Sequence, residues 1–320
     1  MGYSWSDDIP VLGELPAREA IAKLQALGDE QTVRELEMLY RQSISSGGVM
    51  GMSDVGRQFS EWWGKDSPWK HVGFEIGYIV PPDPIKRASF QLLQSAREIE
   101  PDTTLRNATL NIALDRFFVV SYPPSIRHLG SITHRVLLRF YTLHQTQRKS
   151  EDIHFNKTCK ARDGEAASIA GSPIFLGLKV SDQGIVLGCE SVKVTDEHDQ
   201  SFLGFLESDA FTAGLQLLST IQPVVGMIVI TAAYITKVIA GRNVNAKVHE
   251  FEARLGFDKG IPSSYKLAAG SYVVVQTSGG SQSSWNWSDW KYQNGNIVRS
   301  RGSKTLLPYN YFIFGITKSN

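Results

Sequence analysis

The stretch AFTAGLQLLSTIQPVVGMIVITAAYIT, residues 210–236, runs for 27 positions without a charged side chain. A chain that carries such a run must bury it in protein or in lipid, so it constrains the fold more than any other feature. Pro223 cannot donate a backbone hydrogen bond inside a helix, but it fits the first turn of a new one. The run therefore reads as a helix over about Phe211 to Thr220, a kink, and a second helix from Pro223 to about Ala240. A third, amphipathic helix is predicted in AKVHEFEARLGF. The middle helix is apolar all round, through Ile228, Ile230 and Tyr234 among others, and such a helix belongs in an interior. At 1.5 Å per residue it spans roughly 27 Å, just short of the bilayer's hydrocarbon core of about 30 Å. Thr231, Thr236 and Lys237 argue for a protein core rather than a permanent span. A sheltered hairpin around Pro223, Ile228, Ile230 and Tyr234 that inserts into lipid is the membrane-active alternative.

The flanking sequence decides what would bury it. ATLNIALDRFFVVSYPP, HRVLLRFYTLHQ, PIFLGLKVS and GSYVVVQTS are rich in strand formers. Asp163-Gly164 and Asn294-Gly295 supply turn signals, the second a two-residue hairpin. Before them, PAREAIAKLQALG and EQTVRELEMLYRQSIS carry helical spacing, HVGFEIGYIV reads as a strand, and IKRASFQLLQSAREI reads as a helix. The expected fold class is α+β: an antiparallel β-sandwich with an N-terminal helical region over 1–102. The sandwich domain over 103–320 would carry a long helical insertion at about 201–257.

Charge is unevenly spread, although the chain as a whole is at +1. Residues 1–102 hold 10 basic and 16 acidic side chains, whereas residues 103–162 hold 10 basic and 3 acidic. Side chains alternate along a strand. In HRVLLRFYTLH, Val136, Leu138 and Phe140 therefore fall on a core face, and Arg135, Leu137, Arg139 and Tyr141 on the other. Arginine forks suit phosphate and carboxylate. Arg135, Arg139, Arg148 and Lys149 are the expected anion contacts, with Lys157, Lys160 and Arg162 in reach of the same patch. Trp285 and Trp287, in SGGSQSSWNWSDW, are the candidate apolar anchors.

No catalytic motif appears. The chain lacks G-x-S-x-G, H-E-x-x-H and GxxxxGK[ST], so no catalytic residue, cofactor or metal is expected. His249 and Glu252 stand three apart on the predicted third helix and need no ligand to explain them. Asp182, Asp196, Asp199, Asp258 and Asp289 are scattered over predicted turns. The two cysteines, Cys159 and Cys189, read as half-buried thiols in a reducing compartment rather than a disulfide framework. The absence of Gly-rich and aromatic RNA-binding signatures argues against nucleic acid. The function expected is a non-enzymatic cytoplasmic binding protein, able to act as a peripheral membrane protein. It would recognise an anionic phospholipid surface or a protein partner through a basic sheet face. The alternatives are a membrane-damaging effector that uses the 210–241 hairpin, and an enzyme with a pocket between helical region and sandwich.

Overall fold

The computed structural model describes residues 11–15, 17–27, 30, 33–34, 37–38, 68–82, 89–123, 133–145, 150–195, 203, 215–217, 239, 245–258, 264–277, 285–302 and 305–319. One α-helix, α1 (Ala17–Leu27), forms where Pro16 and Gly28 punctuate the sequence. Among the described residues everything else of length is strand. In chain order these are β1 (Gly73–Ile79), β2 (Gln91–Ser95), β3 (Thr109–Val119), β4 (Thr133–Gln145) and β5 (Ser150–Arg162). There follow β6 (Glu165–Ala166), β7 (Ser172–Lys179), β8 (Ile185–Val194), β9 (Leu215–Gln216) and β10 (Ala246–Gly256). The last five are β11 (Tyr265–Lys266), β12 (Gly270–Thr277), β13 (Trp290–Gln293), β14 (Asn296–Arg299) and β15 (Tyr311–Lys318).

The strands make two sheets. A 10-stranded sheet has the order β14-β13-β2-β1-β12-β15-β3-β7-β9, with β6 added to β3, and a 5-stranded sheet has the order β11-β10-β8-β4-β5. Pairing is antiparallel except for β7–β9 and β10–β11. β1 and β2, from before residue 102, pair into the same sheet as β12 and β13 from beyond it. The sheets meet face to face. Phe251 packs edge-on to Phe314, Phe140 also meets Phe314, and Phe74 meets Phe251, with ring centroids 5.7–6.1 Å apart. That geometry suits aromatic quadrupoles. Burying a phenylalanine contributes roughly 1.5–3 kcal/mol, and Phe140, Phe155, Phe175 and Phe314 are all fully buried.

The large sheet is covered on both faces near its middle. Along β12, Tyr272 and Val274 join the main core, while Val273 and Val275 join a second cluster with Trp287, Trp290 and Tyr311. This two-sided burial explains the unbroken apolar run in GSYVVVQT. The β13–β14 hairpin turns at Asn294-Gly295, with φ of 50° and 79°. Both values lie in the left-handed region that a type I′ turn requires.

The α+β expectation is therefore corrected. The protein is predominantly β, and among the described residues neither a helical N-terminal region nor a long helical insertion is seen. IKRASFQLLQSAREI contains β2 followed by a turn at Ala96–Glu98. AKVHEFEARLGF is β10, paired with β8 over its length. Leu215–Gln216, inside the first predicted helix of the uncharged run, is β9 beside β7. Ile239 is buried. Pro223, Ile228, Ile230 and Tyr234 lie outside the described residues. Among the described residues no helix is long and apolar enough to cross a membrane.

Candidate binding surface

Strand β4 carries Arg135 and Arg139, two of the arginines that the sequence singles out. Its partners are β8 on one side and β5 on the other. Val136, Leu138 and Phe140 are fully buried in the main core, on the face expected for them. The opposite face, with Arg135, Leu137, Arg139 and Tyr141, is not uniformly solvated. Leu137 is as buried as the core residues, and Arg139 is 1% exposed.

The register brings Arg139 between Asn156 of β5 and Glu190 of β8, and Glu190 opposite Glu250 of β10. Arg139 forks onto Glu190. Its Nε donates to Oε2 at 2.7 Å, and its Nη2 stands 2.7 Å from Oε1. Lys247 stands 3.6 Å from the same Oε1 and donates to Glu250 at 2.7 Å. Two cations thus face two carboxylates in a row across three strands, and each buried charge has a neighbour of opposite sign. His154 Nδ1 lies 3.5 Å from Arg139 Nη1. Burial, reinforced by that guanidinium, lowers the His154 pKa to about 4. Burial and the nearby Glu190 raise the Glu250 carboxyl, with Lys247 opposing. Burial also raises the Tyr141 phenol. The Tyr141 ring carries the Arg139 guanidinium at 5.3 Å and lies directly over Gly188. A Cβ at Gly188 would stand 2.0 Å from that ring, which is why β8 has glycine there.

Arg139 is therefore an internal ion-pair partner and is not presented to a ligand. Arg148 and Lys149 lie outside the described residues. Arg135 is placed differently. It is half-buried at the start of β4, opposite Lys160 of β5, which is exposed. Arg162, also exposed, donates from Nε to Thr133 Oγ1 at 3.2 Å. The adjacent carboxylate, Asp163, is already engaged by His134 Nε2 at 2.9 Å and by the Tyr122 backbone N–H at 3.0 Å. Arg135, Lys160 and Arg162 form a cationic corner with no ion pair among the described residues. Lys157 falls on the other face and is buried.

The tryptophans pack inward. Trp287 is buried with its ring across Gly77, and half-buried Trp285 sits 5.2 Å from Trp287 and 6.2 Å from Trp290. They build the second core cluster rather than an exposed anchor. His249 and Glu252 do not share a face, because β10 sends His249 onto Phe312 in the core and leaves Glu252 exposed. Cys159 and Cys189 are buried free thiols, and burial pushes Cys159 up to about 12. Among the described residues no cluster could hold a metal ion. Sequence reasoning missed Glu190, Lys247 and Glu250. The signal was the strict alternation of EFEARL, in which Phe251, Ala253 and Leu255 are buried and Glu252 and Arg254 are exposed. Compared with family models, curated proteins and solved structures, the chain finds no match.

Proposed function

We propose that the protein is a non-enzymatic binding protein whose cationic corner, Arg135, Lys160 and Arg162, receives an acidic protein partner. The supporting observation is the direct cross-strand pairing of Arg135 with Lys160. Like charges opposite each other on a sheet are destabilising by roughly 0.2–1 kcal/mol. A carboxylate-bearing partner that sits between them removes that cost. Among the described residues the corner has no exposed apolar side chain beside it, since Val136, Ala161 and Val194 are buried. Pure charge without an apolar anchor suits an acidic peptide better than a bilayer.

The test is titration with a fluorescein-labelled oligoglutamate peptide. Binding is expected at low salt. It should disappear at about 1 M ionic strength, where the screening length is about 3 Å. Arg135→Gln/Lys160→Gln is expected to weaken it at least tenfold at unchanged melting temperature. Equal affinity of variant and wild type would refute the assignment.

A further inference from the structure

The large sheet extends beyond β1 as a three-stranded wing of β2, β13 and β14. One face of this wing is closed: Leu93, Trp290, Ile297 and Leu307 belong to the second core cluster. Among the described residues the other face is exposed at its two rims, with Val298 buried and Lys291 half-buried between them. Leu92 of β2 stands opposite Lys291 of β13, Lys291 opposite Val298 of β14, and Val298 bridges to Leu306. Cross-strand partners share a face, so the four side chains form one row about 14 Å wide at about 4.8 Å per strand. Leu92 is 59% exposed and Leu306 43%. Phe90, two residues before Leu92 and on the same side by parity, is 37% exposed and carries the Lys291 ammonium 4.8 Å over its ring. Among the described residues four large apolar side chains are exposed, and three of them are these; the fourth is Met38.

The charge around this row has one sign. Over residues 89–95, 290–302 and 305–307 the charged side chains are Lys291, Arg299 and Arg301. None of the three forms an ion pair among the described residues. Arg299 points to the opposite side, over the Trp290 ring at 5.7 Å. The nearest carboxylate in sequence is exposed Asp289, just before the hairpin.

The geometry points to an anionic lipid bilayer as the occupant of this face. Phe90, Leu92 and Leu306 enter the headgroup boundary, Lys291 meets lipid phosphates and carboxylates from within the row, and exposed Arg301, just beyond β14, adds to the positive field. An aqueous protein surface gains nothing from three clustered apolar side chains, whereas an interface with hydrocarbon beneath anionic headgroups rewards apolar anchors ringed by cations. A protein partner would need carboxylates around an apolar patch; a bilayer that contains phosphatidylserine supplies both at once. This contact is separate from the cationic corner, since β5 approaches β3 whereas the wing lies on the far side of β1.

The experiment is co-sedimentation of the full chain with phosphatidylcholine vesicles, with and without phosphatidylserine. Wild type is expected to sediment only with the phosphatidylserine vesicles. Leu92→Asp/Leu306→Asp and, separately, Lys291→Glu/Arg301→Glu should each lower partitioning at least tenfold. All four positions are on the surface, and unchanged melting temperatures would show that both variants fold. Arg135→Gln/Lys160→Gln should sediment like wild type. The assignment is overturned if wild type stays in the supernatant or if both wing variants partition normally. Sedimentation velocity that shows a wild-type dimer broken by Leu92→Asp/Leu306→Asp would overturn it in favour of a second copy. Loss of vesicle binding in the corner variant alone would refute the wing and leave the corner as the anionic contact.

Discussion

Arg139 and Arg135 are four residues apart on one strand and share a face, yet they do different work. Arg139 is held between the buried Glu190 carboxylate and His154, and Arg135 stands near solvent. Removing one member of a buried pair leaves the other charge uncompensated, at a cost of about 3–5 kcal/mol. Glu190→Gln is therefore expected to lower unfolding free energy by about that amount in urea titration. Replacing both partners, as Arg139→Met/Glu190→Leu, should recover most of the loss, since an apolar pair of similar volume is often neutral or better. A double variant no more stable than the single would show that the pair is net favourable. His249 gives a second residue-scale test. Burial lowers its pKa from 6.5 to about 3, and its Nε2 has no hydrogen-bond partner among the described residues. The unfolded chain takes up a proton below pH 6.5 that the folded one refuses down to about 3, so this residue costs stability as pH falls through that window. The slope is about 1.4 kcal/mol per pH unit for one proton. Wild type minus His249→Phe, measured by denaturation from pH 6 down to about 4, should show this slope. Parallel curves would mean that His249 is protonated in the fold.

At the scale of the element, β10 shows what sequence can and cannot deliver. AKVHEFEARLGF is made of good helix formers, and summed propensity favours a helix. Pairing with β8 overrides it, because nine cross-strand partners run from Ala246 to Leu255 with one bulge after Lys247. Without the partner strand in view, helical and strand periods compete over too short a window. A strand makes a sharp expectation. Phe251→Ala should cost about 3–5 kcal/mol, whereas its neighbour Glu252→Ala should stay within about 0.5 kcal/mol. Similar losses at both sites, in thermal or urea unfolding, would contradict the assigned alternation. The parity of β4 was legible, since Val136, Leu138 and Phe140 needed only a period of two. So was the Asn294-Gly295 hairpin, a local turn with its own chemistry. What lay on the other face of β4 was not legible, because Glu190 and Glu250 reach Arg139 only through the order of three strands. The same holds for Leu92 and Leu306, more than two hundred positions apart and joined in one row by register.

On the scale of the whole molecule, the two sheets share one main core, and the large sheet adds a second cluster on its outer face. The cationic corner lies at the β5 edge, towards β3, while the wing lies beyond β1 at the other end. The two proposed contacts, an acidic partner at the corner and a bilayer at the wing, would therefore not compete for one surface. The corner assignment requires that β4 divide its arginines between an internal structural role and an external recognition role. The most direct measurement is oligoglutamate affinity in Arg135→Gln and Arg139→Gln, with melting temperature recorded on the same samples. Arg135→Gln is expected to keep the wild-type melting temperature and lose most of the affinity, and Arg139→Gln to melt markedly lower. Full peptide affinity in Arg135→Gln, or an Arg139→Gln protein as stable as wild type, would contradict that division.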